Sequence, residues 1–131
     1  MRQSVTPKAA IQRAFVMVTL PSMVCLIIPI AASIAAIHEG YIRRDDPLVQ
    51  LLSFAASFGG AWLAWSIQTP KWRLWAYERV DDIGELKALA VRSMLIWPEG
   101  SFLGRTEIMS RDTRARLHSL EKAKAPNRKV D

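Results

Sequence analysis

The chain has one cysteine, Cys25, and two histidines, His38 and His118, 80 positions apart. One cysteine excludes an intrachain disulfide and a zinc site built on several cysteines. Cys25 also lies inside an apolar run, where the reactive thiolate is disfavoured. The chain lacks a phosphate-binding glycine loop, a GxSxG elbow, an HExxH pair and a dinucleotide-binding turn. Asp81 and Asp82 are consecutive and diverge on a helix, and Asp45 and Asp46 read as the cap of a helix start rather than as a cation site. Charge is absent from 14–37 and from 48–67, which excludes a proton relay or coupling-ion site there. No residue is therefore assigned to catalysis, to a cofactor or to a metal, and the chain reads as a non-enzyme.

What the sequence does have is two long apolar runs. The second, 48–67, holds 20 uncharged residues. At about 1.5 Å per residue it covers roughly 30 Å, the thickness of a bilayer's hydrocarbon core. Run 14–37 has 24 uncharged residues, enough to span with some tilt. In lipid both must be helical, because every backbone group needs an internal partner. The competing expectation, a core helix of a soluble protein, is weakened by there being two such runs. A cleaved signal peptide is a second competitor for the first run. Lys8 and Arg13 would be its basic region, and 33–35 a cleavage pattern. Its apolar part is too long, and Pro21 and Pro29 fall inside it.

At 100° per residue the second run sorts into two faces. Leu51, Phe54, Phe58, Trp62 and Trp65 form a bulky face suited to lipid. Gln50, Ser53, Ser57, Gly60 and Ala64 form a small one. The first run carries a matching stripe of Ser22, Cys25, Pro29, Ala32 and Ala36. Small residues let backbones approach where lipid and leucine are equally apolar, so the two stripes are expected to form one seam with a left-handed crossing. Pro21 and Pro29 each remove a backbone hydrogen bond and predict a kink, read as static rather than as a gate.

The connection 38–47 is ten residues, short enough to force a hairpin. His38 reads as a solvated residue at its edge. Formal charge is +3 over 1–13, −1 over 38–47 and +4 from 68 to the end, within a chain total of +6. Lys and Arg near membrane ends mark the cytoplasmic side, so both termini are expected there, with 38–47 outside. A bacterial cytoplasmic membrane is the expected location.

Thr6-Pro7, Asp46-Pro47 and Thr69-Pro70 each pair a capping residue with a proline that loses no bond at a helix start. They predict three helix beginnings. The third would open an interfacial helix over 70–80. Its surroundings, Trp62, Trp65, Trp72, Trp75 and Tyr77 with Lys71, Arg73 and Arg79, read as an aromatic belt at an anionic lipid surface. Aromatics among cations also describe a nucleic-acid platform. Directly after a spanning run the membrane reading prevails, and no nucleic acid is expected.

Asp82 with Glu85 fits a capping box, predicting an amphipathic helix over 83–97 that stops at Pro98. Ile83, Leu86, Ala90, Met94 and Trp97 share its apolar face. That face either receives a partner or closes a small core with Phe102, Ile108, Leu117 and Leu120. A short extended piece is expected near 105–109, a last helix over 112–124, and a disordered end over 125–131. The expected fold is all-α: a two-helix transmembrane hairpin, an interfacial helix and a small helical cytoplasmic tail. The functional expectation is a membrane anchor or accessory scaffold subunit whose tail docks a membrane protein or a second copy. A holin-like oligomeric pore is the alternative.

Overall fold

The computed structural model describes residues 4–98 and 100–124, so the expected disordered end, 125–131, lies outside the described residues. It is all-helical, with no strand among the described residues. Helix α1 runs Pro7–His38 and α2 Pro47–Arg79, both long and apolar enough to cross a membrane. Shorter helices follow: α3, Ile83–Arg92, and α4, Arg111–Lys124, with a 3-10 turn, Phe102–Thr106, between them.

The first two cap-plus-proline starts form. The Thr6 hydroxyl accepts the Ala9 N–H at 3.3 Å, and the Asp46 carboxylate accepts the Leu48 N–H at 3.0 Å. The third does not. Helix α2 passes through Thr69 and Pro70 without a break, so residues 70–80 are its last turns and not a separate interfacial helix. Pro70 has no N–H for the Ser66 carbonyl four residues earlier. The Ile108 N–H, arriving from the tail, donates to that carbonyl at 3.1 Å. A partner from outside the helix thus fills the gap, and the helix continues.

From Pro7 on, the basic N-terminal segment is part of α1, which begins seven residues before the apolar run. Before Pro21 the helix widens into a π turn over Phe15–Thr19, where the Leu20 N–H reaches back to the Phe15 carbonyl. Pro29 is accommodated inside α1. The Ser22 and Ser33 hydroxyls donate to the Val18 and Pro29 carbonyls, each at 2.8 Å.

Helices α1 and α2 lie side by side. Ser33 meets Ser53 hydroxyl to hydroxyl, Gly60 lies against Cys25, and Trp72 reaches Ala10. One number falls as the other rises, so the two helices run in opposite directions. A Cβ on Gly60 would stand 3.7 Å from both the Cys25 Cβ and its carbonyl oxygen, the carbonyl that Pro29 leaves without an N–H. Ser22 and Ser57 are buried and Ser53 is half-buried. Cys25, Pro29, Ala36, Gly60 and Ala64 are half-buried. Ala32 is exposed, and Ser33 takes its place in the seam. The reason is periodic: 18, 22, 25, 29, 33 and 36 repeat every 3.6 residues, the natural helical period, so the stripe stays straight.

The core sits at the far end of this pair. Ala10, Ala14 and Val18 of α1 meet Trp72, Ala76, Tyr77 and Val80, and α3 and α4 close over them with Ile83, Leu86, Ala90 and Leu117. The tail therefore gains its core by borrowing the first turns of α1. The faces left open are apolar. Leu51, Phe54, Phe58 and Trp62 of α2 are exposed, as are Val16, Leu20, Ile27, Ile28 and Ile34 of α1. Only 17% and 6% of the two apolar windows are buried, whereas a soluble protein's core helix is mostly buried. This exposure supports a membrane location for the two helices.

Candidate functional site

The most built part of the molecule is where the tail straps across the end of α2. Three attachments hold it. The Ile108 N–H is bound to the Ser66 carbonyl. Two turns on, the Arg73 Nη1 donates to the Glu107 carboxylate at 2.8 Å, with both side chains largely out of solvent. From the end of α4, the Lys124 ammonium donates to the Tyr77 and Val80 carbonyls at 2.8 and 2.7 Å. These carbonyls end α2, where a cation is favoured. Burial pushes the Glu107 carboxyl above its ordinary value of 4.5, an effect that the Arg73 charge and hydrogen bond oppose. Desolvation here outweighs the attraction, as is common for buried ion pairs.

The residues expected at a membrane interface separate into two groups. Lys71 and Trp62 are exposed. Trp72 and Tyr77 do not face outward: both are fully covered by protein, and the Trp72 indole donates to the Ala10 carbonyl at 2.9 Å. Trp65 is half-buried, donating to the Leu95 carbonyl at 3.2 Å and meeting the Trp97 ring edge-on at 6.5 Å. Trp75 lies between two guanidinium groups, Arg13 at 4.3 Å and Arg79 at 5.1 Å from its ring. Arg73 belongs to the buried pair with Glu107. Aromatic and basic residues just past an apolar run suit a belt, but here Trp72 and Trp75 pack against the start of α1 and Trp65 and Arg73 bind the tail, while Trp62 and Lys71 stay exposed.

The expected partner face is also corrected. Ile83, Leu86 and Ala90 are buried in the protein's own core. Met94 and Trp97 do not share their helix, because α3 ends at Arg92 rather than at Pro98. Asp82 caps its start, accepting the Glu85 N–H at 2.9 Å. Its end is a Schellman motif: Leu95 N–H to Ala90 carbonyl and Met94 N–H to Val91 carbonyl, with Met94 left-handed at φ 54°. Glycine is the usual residue at that position, so the sequence carried no signal for the stop. The turn leaves Met94 87% exposed. Beside it an apolar groove of about 270 Å³ opens between α1 and α2, bounded by Leu26, Phe58, Trp62 and Trp65. Phe102 and Ile108, expected to help close a tail core, are exposed, while Leu117 is buried and Leu120 partly so.

A second concavity, a cleft of about 530 Å³ with a mixed polar and apolar lining, lies between the strap, α2 and α4. Arg73, Arg105, Arg114 and His118 line it, over Met109 and Leu117. Among the described residues no group of three or more His, Cys, Asp or Glu side chains is placed to hold a metal. No protein-family model, curated protein or solved structure matches the chain.

Proposed function

We propose that the chain is a small integral membrane protein crossing the bacterial cytoplasmic membrane twice, as an antiparallel hairpin, and serving as an anchor or accessory scaffold subunit. One observation carries this reading: two long helices keep their large apolar side chains exposed, while a compact polar unit is fastened to one end of them. The basic residues Lys8, Arg13, Lys71 and Arg79 gather at that end, and at the other Arg43 and Arg44 are outnumbered by Glu39, Asp45 and Asp46. This distribution favours both termini in the cytoplasm, next to anionic lipid.

The buried face of α3 is spent on the core, so docking of a membrane protein or a second copy falls to other surfaces. These are the exposed flanks of α1 and α2 and the outer tail residues Met94, Phe102 and Ile108. The pore reading loses ground. The serines of the seam turn inward between the two helices, and the exposed flanks are apolar, so they supply no wet lining. An anchor or scaffold resists carbonate extraction and, in mild detergent, either self-associates above one 14.7 kDa chain or co-purifies with a membrane protein. Release by carbonate, or a lone monomer both when purified and when first extracted from its own membrane, contradicts the proposal.

A further inference from the structure

The cleft under the strap has features that the anchor reading does not use. Its three arginines come from three elements: Arg73 from α2, Arg105 from the 3-10 turn and Arg114 from α4. The strap converges them, since Glu107 and Ile108 are pinned to α2 immediately after Arg105. The nearby carboxylates are already engaged. Glu107 is held by Arg73, and Glu121 by the Lys87 ammonium at 2.9 Å. Arg105 and Arg114 form no ion pair among the described residues. Arg73 also keeps a buried Nε–H without an acceptor. The cleft therefore has donors in excess of acceptors and positive charge in excess of negative. Its volume, about 530 Å³, lies within the roughly 300–1,000 Å³ range of small-molecule sites.

Guanidinium forks match the oxygens of phosphate and bind them in pairs of charge-assisted hydrogen bonds. We propose that this cleft binds a phosphate-bearing anion, with Arg105 and Arg114 as its principal ligands. Two sources share that chemistry, an anionic phospholipid headgroup and a free phosphate ester. The depth suits the first. Arg73 is six residues beyond Ile67, so about 9 Å further along the axis. The polar layer of a bilayer is roughly 5–8 Å thick on each side, within reach of an arginine side chain. The site does not depend on the chain having a protein partner.

The test uses the full chain in a neutral detergent, with thermal unfolding followed against added phosphatidylglycerol, phosphatidylcholine, glycerol 3-phosphate or inorganic phosphate. The unfolding midpoint is expected to rise with phosphatidylglycerol and not with phosphatidylcholine. A rise with glycerol 3-phosphate or inorganic phosphate as well identifies a site for soluble esters, and a rise with the lipid alone identifies a headgroup site. In Arg105→Gln/Arg114→Gln the apparent Kd weakens roughly tenfold or more, as expected for lost charged hydrogen bonds. All four of these cations are exposed, but Arg116 and Lys122 lie outside the cleft lining, so Arg116→Gln/Lys122→Gln removes the same charge, with the Arg116–Glu78 contact, and leaves Kd unchanged. Arg105→Gln alone gives the same reading, more weakly, if the double variant does not fold. No shift with any of the anions overturns the proposal. Equal weakening in the two double variants also overturns it, because the attraction is then diffuse.

Discussion

At the residue scale, Met94 holds a left-handed turn that glycine would hold at lower cost, and Glu107 is a carboxylate buried against a single arginine. A left-handed conformation costs a non-glycine residue about 1–2 kcal/mol. Glycine there recovers this but adds about 0.5–1 kcal/mol of unfolded-chain entropy. Met94→Gly is therefore expected to stabilise by up to about 1 kcal/mol in a detergent melt. Met94→Ala, which keeps the strain, is expected not to stabilise. Glu107→Ala leaves the Arg73 guanidinium buried and unpaired, a loss of about 3 kcal/mol after allowing for its partial exposure. Glu107→Gln tests the ionisation. The folded-state value of Glu107 is raised above 4.5, so the folded protein holds the proton more tightly than the unfolded chain. That contribution is present below 4.5 and is lost as pH rises through the raised value. The stability of the wild type relative to Glu107→Gln should fall across that window. A difference that rises with pH contradicts the burial argument. Neither residue announced itself in the sequence: Met94 reads as one more apolar position, and Glu107 pairs with a residue 34 positions away.

At the element scale, the seam and the tail core make separate predictions. Gly60→Ala places its Cβ at an ordinary 3.7 Å from Cys25 and should be tolerated. Gly60→Leu forces the helices apart, costing about 1–3 kcal/mol, while Phe58→Leu on the open face should be near neutral. Thermal melts of the three variants decide this, and equal behaviour of Gly60→Leu and Phe58→Leu removes the seam. Leu86→Asp puts a charge into the core where α1, α2 and α3 meet, and a loss above about 4 kcal/mol is expected. Retention of the fold with loss of only a binding partner would contradict the core assignment. The two apolar helices were legible, because length, charge exclusion and the small-residue stripes act within single segments. The caps at Thr6, Asp46 and Asp82 were legible for the same reason. Three features were not. Thr69-Pro70 has the local chemistry of a helix start, and only the distant Ile108 N–H makes continuation cheap. The first turns of α1 carry Lys8 and Arg13 and read only as a basic helix start before the apolar run, yet Ala10 and Ala14 are core. The strap itself rests on contacts between residues more than 30 positions apart, which no periodicity records.

At the scale of the whole molecule, two apolar helices run in opposite directions, and the N-terminal turns and the tail meet at one end. The Val5 N–H even donates to the Arg79 carbonyl at 3.0 Å. If the pair spans a bilayer, this meeting forces both onto the same side, with the 38–47 connection on the other. The proposal that this side is cytoplasmic rests on the Lys and Arg residues beside the helix ends there. The most direct test is cysteine labelling in intact cells on a Cys25→Ser background. Tyr41, in the connection, and Lys122, on the tail, are both exposed. A membrane-impermeant maleimide should label Tyr41→Cys in intact cells, and Lys122→Cys only after the cells are opened. Labelling of both only after opening, or of both from outside, would contradict the two-span account.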